Sequence, residues 1–204
     1  MKKLFTILFA LAALHCAGQE ELFGDQNGVS LSYMKSFIED DVPNFTIGVS
    51  ALVNKHVSIS AGMLNVDSYA YPLLELALLS KPVASKNPVR YYVGLSYLKI
   101  RKNHIGGLGL GLFKRFFPES MFPSALTGGF VIQFLIKEDE YFEEKTNPAF
   151  GLDFTQGFFA RGSVYPFIGV GGTYDFNEEN ISYSAIAGIN IKIAARQNNN
   201  DFPK

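Results

Sequence analysis

The chain has 204 residues with 18 basic and 19 acidic side chains, a balance that leaves no basic surface for nucleic acid. Its 19 Gly, 19 Phe and 10 Tyr, with no Trp and 18% charged residues, point to strands and turns. The single cysteine is Cys16, so no disulfide framework and no cysteine-based metal site is expected.

Residues 1–18 read as an export signal. Lys2 and Lys3 are followed by the mostly apolar run Leu4 to Leu14, and then by the small residues Ala17 and Gly18. A basic start, an apolar stretch of about 7–15 residues and a small-residue cleavage site define a secretory signal peptide. A membrane-anchor helix needs roughly 20 apolar residues, more than this run supplies. A lipoprotein signal also ends on a cysteine, but the residue before it is small there and is His15 here. Cleavage is therefore placed after Gly18. The mature part, from Gln19, then holds 16 basic and 19 acidic residues, and its length suits one domain.

From Gln26 onward, apolar residues alternate with small or polar ones over stretches of about 9–11 residues, the length of a tilted strand crossing a bilayer. Ten segments show the pattern: 27–37, 44–54, 56–66, 70–80, 90–100, 107–115, 125–136, 148–160, 164–176 and 180–193. In the second, Phe45, Ile47, Val49, Ala51 and Val53 share one face, with Thr46, Gly48 and Ser50 opposite and Leu52 intruding. In the last, Ile181, Tyr183, Ala185, Ala187, Ile189, Ile191 and Ile193 oppose Ser182, Ser184, Gly188, Asn190 and Lys192, with Ile186 intruding. Successive strand side chains point to opposite faces, so each segment has one greasy side. Segment 70–80 is Leu-rich and reads as a strand because Leu74, Leu76 and Leu78 alternate with Leu73, Glu75 and Ala77. An eight-strand count would merge or drop segments and leave long unstructured connections. The expected fold is all-β: a closed antiparallel up-and-down transmembrane β-barrel over 19–193, of ten strands with eight as the alternative. A disordered tail is expected over 194–204.

A soluble lipocalin-like carrier would also have two-faced strands. Its polar face would be the outside, protected by charges. Here the non-apolar faces are mainly Gly, Ser and Thr: Gly107, Gly109 and Gly111 oppose Leu108, Leu110 and Leu112. Gly169, Gly171 and Thr173 oppose Ile168, Val170 and Tyr174. Small residues suit the interior of a narrow barrel, which leaves the apolar face to lipid. Tyr33, Tyr91, Tyr97, Phe158, Tyr165 and Tyr174 are expected to form interfacial girdles. With the N-terminus in the periplasm, the acidic clusters Glu39-Asp40-Asp41, Lys137-Glu138-Asp139-Glu140 with Glu143-Glu144, and Glu178-Glu179 fall on outer loops. The inner turns hold Lys55, Lys81, Lys86, Lys114, Arg115 and Arg161. Arg101, Lys102 and His104 form a basic exception in one outer loop.

The leader, the repeated strand–turn pattern and the last strand together resemble the small outer-membrane β-barrel proteins of diderm bacteria, the class with 8 to 10 strands. The stretch Gly188-Ile189-Asn190-Ile191-Lys192-Ile193 is similar to the closing strand that the barrel-assembly machinery recognises. It departs from that pattern in ending on Ile193 where an aromatic is usual, and in being followed by Ala194 to Lys204. The resemblance implies an outer-membrane location, with outer-membrane lipid and the assembly machinery as partners. It implies no particular function.

Few residues are of the types that carry chemistry. His56 and Ser58 stand one pleat apart, a spacing that a lipid-deacylating barrel also uses. They face the lumen, and no acidic residue follows closely. Glu75 and Asp153 fall on lumen faces, where pairing with Arg115 or Lys192 is expected because buried charges are normally paired. The acidic loops lack the alternating carboxylates and glycine of a calcium loop. The glycine runs open no helix and are not phosphate cradles. No catalytic, cofactor-binding or metal-binding residue is assigned. The function expected is structural or surface-interacting, with a ligand at the outer loops left unspecified. A lipid- or lipopolysaccharide-modifying enzyme and a soluble periplasmic carrier are the alternatives.

Overall fold

The computed structural model describes residues 27–37, 44–66, 68–81, 89–100, 103–117, 119–137 and 146–193. The expected leader, the tail and the acidic clusters at 39–41 and 138–144 lie outside the described residues. The strands are β1 (Asn27–Phe37), β2 (Asn44–Val53), β3 (Val57–Val66), β4 (Tyr69–Leu79), β5 (Val89–Ile100), β6 (Asn103–Phe116), β7 (Ser124–Lys137), β8 (Thr146–Gly157), β9 (Val164–Asp175) and β10 (Asn180–Ile193). Each pairs antiparallel with its chain neighbours, and β1 pairs with β10, so the sheet closes. Closure leaves no edge of unpaired backbone groups, a condition hydrocarbon imposes on any spanning sheet. The ten-strand reading holds, including the Leu-rich β4. We call the mouth that carries Asn27 and Ile193 proximal and the other distal.

The alternation seen in the sequence is the alternation of the wall. Leu74, Leu76, Leu78, Val93, Leu95, Leu108, Leu110 and Leu112 all stand on the exposed outer surface, as do Ile168, Val170, Ile189 and Ile191. Lys35, Lys99 and Lys114 are the charged residues on this surface among the described strand residues, and each lies within three residues of a strand end. Between them runs an uncharged apolar belt on strands of 10–14 residues. At about 3.3 Å per residue and a tilt of about 40°, such strands match the roughly 25 Å apolar band of membrane barrels. An apolar surface continuous around the whole barrel is incompatible with a water-soluble carrier, which overturns that alternative.

Several boundaries differ from expectation. His56 lies in the β2–β3 turn and not on the strand. Asn54 and Lys55 both take positive φ (51° and 63°), and Val53 pairs with Val57, so the hairpin loop takes in His56 and the strand restarts only at Val57. β6 begins at Asn103, so His104 belongs to a strand and not to a basic loop. Lys114 and Arg115, expected in a turn, lie inside β6, and Phe158 lies past the end of β8. Tyr165 is the clearest correction among the girdle residues. It is fully buried and points into the bore, because it shares the face of Phe167 and Gly169 on β9. Elsewhere the girdles form: Tyr33 stacks on Phe45 (5.6 Å), and Phe130 lies 4.9 Å from Phe150. At the proximal end Phe122 lies 6.3 Å from Phe158 and 5.9 Å from Phe159.

Candidate functional site

The bore is where functional groups converge, and it is built by the inward residues of all ten strands. Small residues alone do not line it. Met34, Leu64, Leu73, Leu98 and Ile105 are all buried in one apolar cluster with Tyr165, Phe167 and Ile186. Leu52, Leu79, Tyr92 and Phe113 form a second cluster. Two of the bulkiest, Tyr92 and Phe167, fit because glycines sit opposite them. Tyr92 pairs in register with Gly111, which pairs with Gly129, and a Cβ on either glycine would collide with the Tyr92 hydroxyl. Phe167 lies over its partner Gly188, and Asp153 over its partner Gly171, in the same way. Gly111, Gly129, Gly171 and Gly188 are thus the seats of a larger side chain from a neighbouring strand.

Two cations brace the turns of the proximal mouth. Arg90 Nε donates to the Ser80 carbonyl oxygen at 2.7 Å, and its Nη2 donates to the Lys55 carbonyl oxygen, tying two turns together. Its guanidinium also lies over the Phe113 ring, 5.7 Å from the centroid. Lys192 Nζ donates to the Ala160 carbonyl oxygen and lies 5.1 Å from the Tyr165 ring centroid. The partner expected for Lys192 was a lumen carboxylate; a turn carbonyl takes that place, because Lys192 sits at the proximal end of β10 while Asp153 and Glu75 lie deeper in the wall. At the distal mouth, Asn147 Nδ2 donates to Asp175 Oδ2 at 2.7 Å. Asp175 Oδ1 accepts the backbone N–H groups of Asn177 (2.9 Å) and Glu178 (3.0 Å), which fixes the last turn.

The His–Ser pair is separated by these arrangements. His56 Nδ1 lies 3.2 Å from the Leu79 carbonyl oxygen and 3.4 Å from Arg90 Nη2, so its ring is held in the proximal turn network. Ser58 is buried and faces a small cavity lined also by Ser60, Glu75, Tyr92 and Ser96. His104 shares a 2.6 Å hydrogen bond with the Tyr97 hydroxyl. Among the described residues, no three His, Asp or Glu side chains converge as metal ligands.

No protein-family model matches the sequence, and no curated protein matches it. Solved structures do. A NanC porin is 10% identical, with 80% of this chain and 100% of that one covered and a TM-score of 0.44. The N-terminal β-barrel domain of Pseudomonas aeruginosa OprF is 10% identical over 82% of this chain and 98% of that one, with a TM-score of 0.38. Neisserial surface protein A is 13% identical over 82% and 97%, with a TM-score of 0.37.

Proposed function

We propose that this chain is an integral outer-membrane barrel whose bore is closed to solutes and whose role, structural or surface-interacting, is exercised without catalysis at its distal rim. The closed bore carries this reading: Leu64, Leu73 and Leu98 are at most 2% exposed although they point into the barrel. A solute channel needs a wet, polar interior, whereas these side chains pack on one another. The uncharged apolar belt supports the membrane location. A closed barrel is the β-structure that satisfies its backbone in lipid. The proximal turns, drawn together by Arg90 and Lys192, suit the periplasmic side, and the acidic Glu178 and Glu179 then face outward.

The lipid-modifying alternative gains no support from the site. Ser58 meets a cavity of about 20 Å³, which is room for one water and not for an acyl chain. His56 is engaged at the turn. Planar-bilayer recording tests the proposal directly. The folded protein, identified by a heat-modifiable band on a gel, is expected to give no stepwise ion currents. Large and stable single-channel steps would overturn the closed bore.

A further inference from the structure

The strand register places one inward residue of every strand on a single row, and nine of the ten are polar. The row starts at Tyr165 on β9, passes to its partner Asn190 on β10, and then to Ser30 on β1. Ser50, Ser60 and Glu75 follow on β2, β3 and β4. Ser96 on β5 and Gly107 on β6 come next, then Gln133 on β7 and Asn147 on β8. Because barrel strands are tilted and staggered, a row followed along the hydrogen bonds climbs instead of closing on itself. Phe167 pairs with Gly157, which sets Tyr165 level with Phe159, yet the row reaches this part of the wall at Asn147, twelve residues further toward the distal mouth. At about 3.3 Å per residue and a tilt of about 40°, that climb is roughly 30 Å along the barrel axis. The hydrocarbon core of a bilayer is also about 30 Å thick.

The flanking rows are different. On the distal side run Gly62, Leu73, Leu98, Ile105 and Leu135. On the proximal side Ser58 is followed by Ala77, Gly94, Gly109 and Val131. A polar thread is thus laid between apolar and small neighbours. Its groups call for water. Ser50 Oγ and Ser60 Oγ are buried and hydrogen-bond to no protein group among the described residues. Buried polar atoms are ordinarily satisfied by protein or by ordered water. The cavity of about 20 Å³ lies on the row itself, beside Ser60, Glu75 and Ser96, and has room for one water. Both ends of the row reach the surface. Asn147 passes through Asp175 to exposed Asn177, and Tyr165 lies beneath the half-exposed Lys192.

We propose that this row is a hydrated hydrogen-bond track that passes protons through a bore closed to ions and solutes. Each hydroxyl or water accepts a proton on one side and releases its own on the other, so no group is changed after a transfer. Glu75, near the middle, takes a proton on its carboxylate and gives it up again. At Asn190, Gln133 and Asn147, and across Gly107, the track requires a bridging water, because an amide or a bare glycine does not relay a proton. The packed Leu73 and Leu98 leave no space for a hydrated cation.

The inference rests on the closed, membrane-spanning reading above, and one experiment separates the two. The folded protein is reconstituted into phosphatidylcholine–phosphatidylglycerol vesicles that trap a pH-sensitive dye. A potassium gradient with valinomycin drives the flux. The wild type is expected to acidify the lumen faster than protein-free vesicles do, without release of trapped chloride. Ser60→Val and Glu75→Leu are each expected to lose the added rate. Ser184→Ala, a buried hydroxyl off the row, is expected to keep it. Should Glu75→Leu fail to fold, Ser60→Val decides. Inserted wild type that is no faster than protein-free vesicles, or row variants with undiminished rates, would overturn the track alone. Protein that does not float with the vesicles, or that releases chloride along with protons, would overturn the closed membrane barrel and the track with it.

Discussion

On β5, Val93 and Leu95 stand outside the barrel while Tyr92, Ser96 and Leu98 stand inside, and on β6 Leu108, Leu110 and Leu112 oppose Gly107, Gly109 and Gly111. The two surfaces share a backbone but answer to different constraints. Lipid asks only that the outer side chains be apolar, so Leu, Val, Ile and Phe serve there interchangeably. The bore must be filled at close to crystal density by side chains from ten strands. Some large residues sit inside over a small register partner, as Tyr92 does over Gly111 and Phe167 over Gly188, and others lie side by side in register, as Leu73, Leu98 and Ile105 do. Interior substitutions should therefore depend on shape, and exterior ones on polarity.

The largest expected effect lies inside. Leu98 is fully buried in the larger apolar cluster, and Leu98→Ala should lower stability by about 2–5 kcal/mol, the usual cost of deleting a packed side chain and leaving a cavity. Leu95→Ala, three residues away on lipid, leaves no cavity because lipid refills the space, so its cost should be clearly smaller. Urea unfolding of the two variants in lipid, followed by the heat-modifiable band, measures the gap. Equal losses would mean that the bore is not packed as described.

Polarity reverses the order. Leu110 is about half exposed near the centre of β6, and Leu110→Arg should cost about 2–4 kcal/mol, as a cation does at the midplane of a barrel. Near the strand end, where Lys114 already carries a cation, Lys114→Arg should be close to neutral. Refolding yield into vesicles distinguishes them.

The contrast also explains what could be read from the sequence. The outer face repeats every second residue without reference to any other strand, so the strand number, the boundaries to within a few residues and the lipid-facing set were visible in each segment alone. The interior was not. Leu52 and Ile186 looked like intruders in otherwise small faces, and Tyr165 looked like a girdle residue. Each is instead an inward side chain whose neighbours come from the adjacent strands, and a register cannot be read from one segment. The same holds for His56 and Ser58. Their spacing suggested a pair, but the positive φ at Asn54 and Lys55 puts His56 in a turn, and its imidazole meets the carbonyl of Leu79 on another strand. The polar row is the extreme case. Its members are one residue per strand, scattered through the chain, and only closure of the sheet aligns them.

The smallest effect tests the glycine seats, with two adjacent glycines as the comparison. Gly128 faces outward, and a Cβ there would meet the flexible end of Leu152 at 3.3 Å, so Gly128→Ala should be nearly silent. Gly129 faces inward beneath Tyr92. A Cβ there would strike the Tyr92 hydroxyl and also sit 3.0 Å from the Leu110 carbonyl oxygen, which belongs to the backbone and cannot swing away. Gly129→Ala should therefore cost about 1–3 kcal/mol, the range for overfilling a packed interior. The hydroxyl accounts for part of that cost and the carbonyl for the rest. Removing the hydroxyl with Tyr92→Phe should relieve the first part only, so the double variant should show a positive but incomplete rescue. A double-mutant cycle on unfolding free energy reads this coupling. Full additivity would place the Tyr92 ring elsewhere in the bore, and the account of Gly111 and Gly129 as its seat would fail with it.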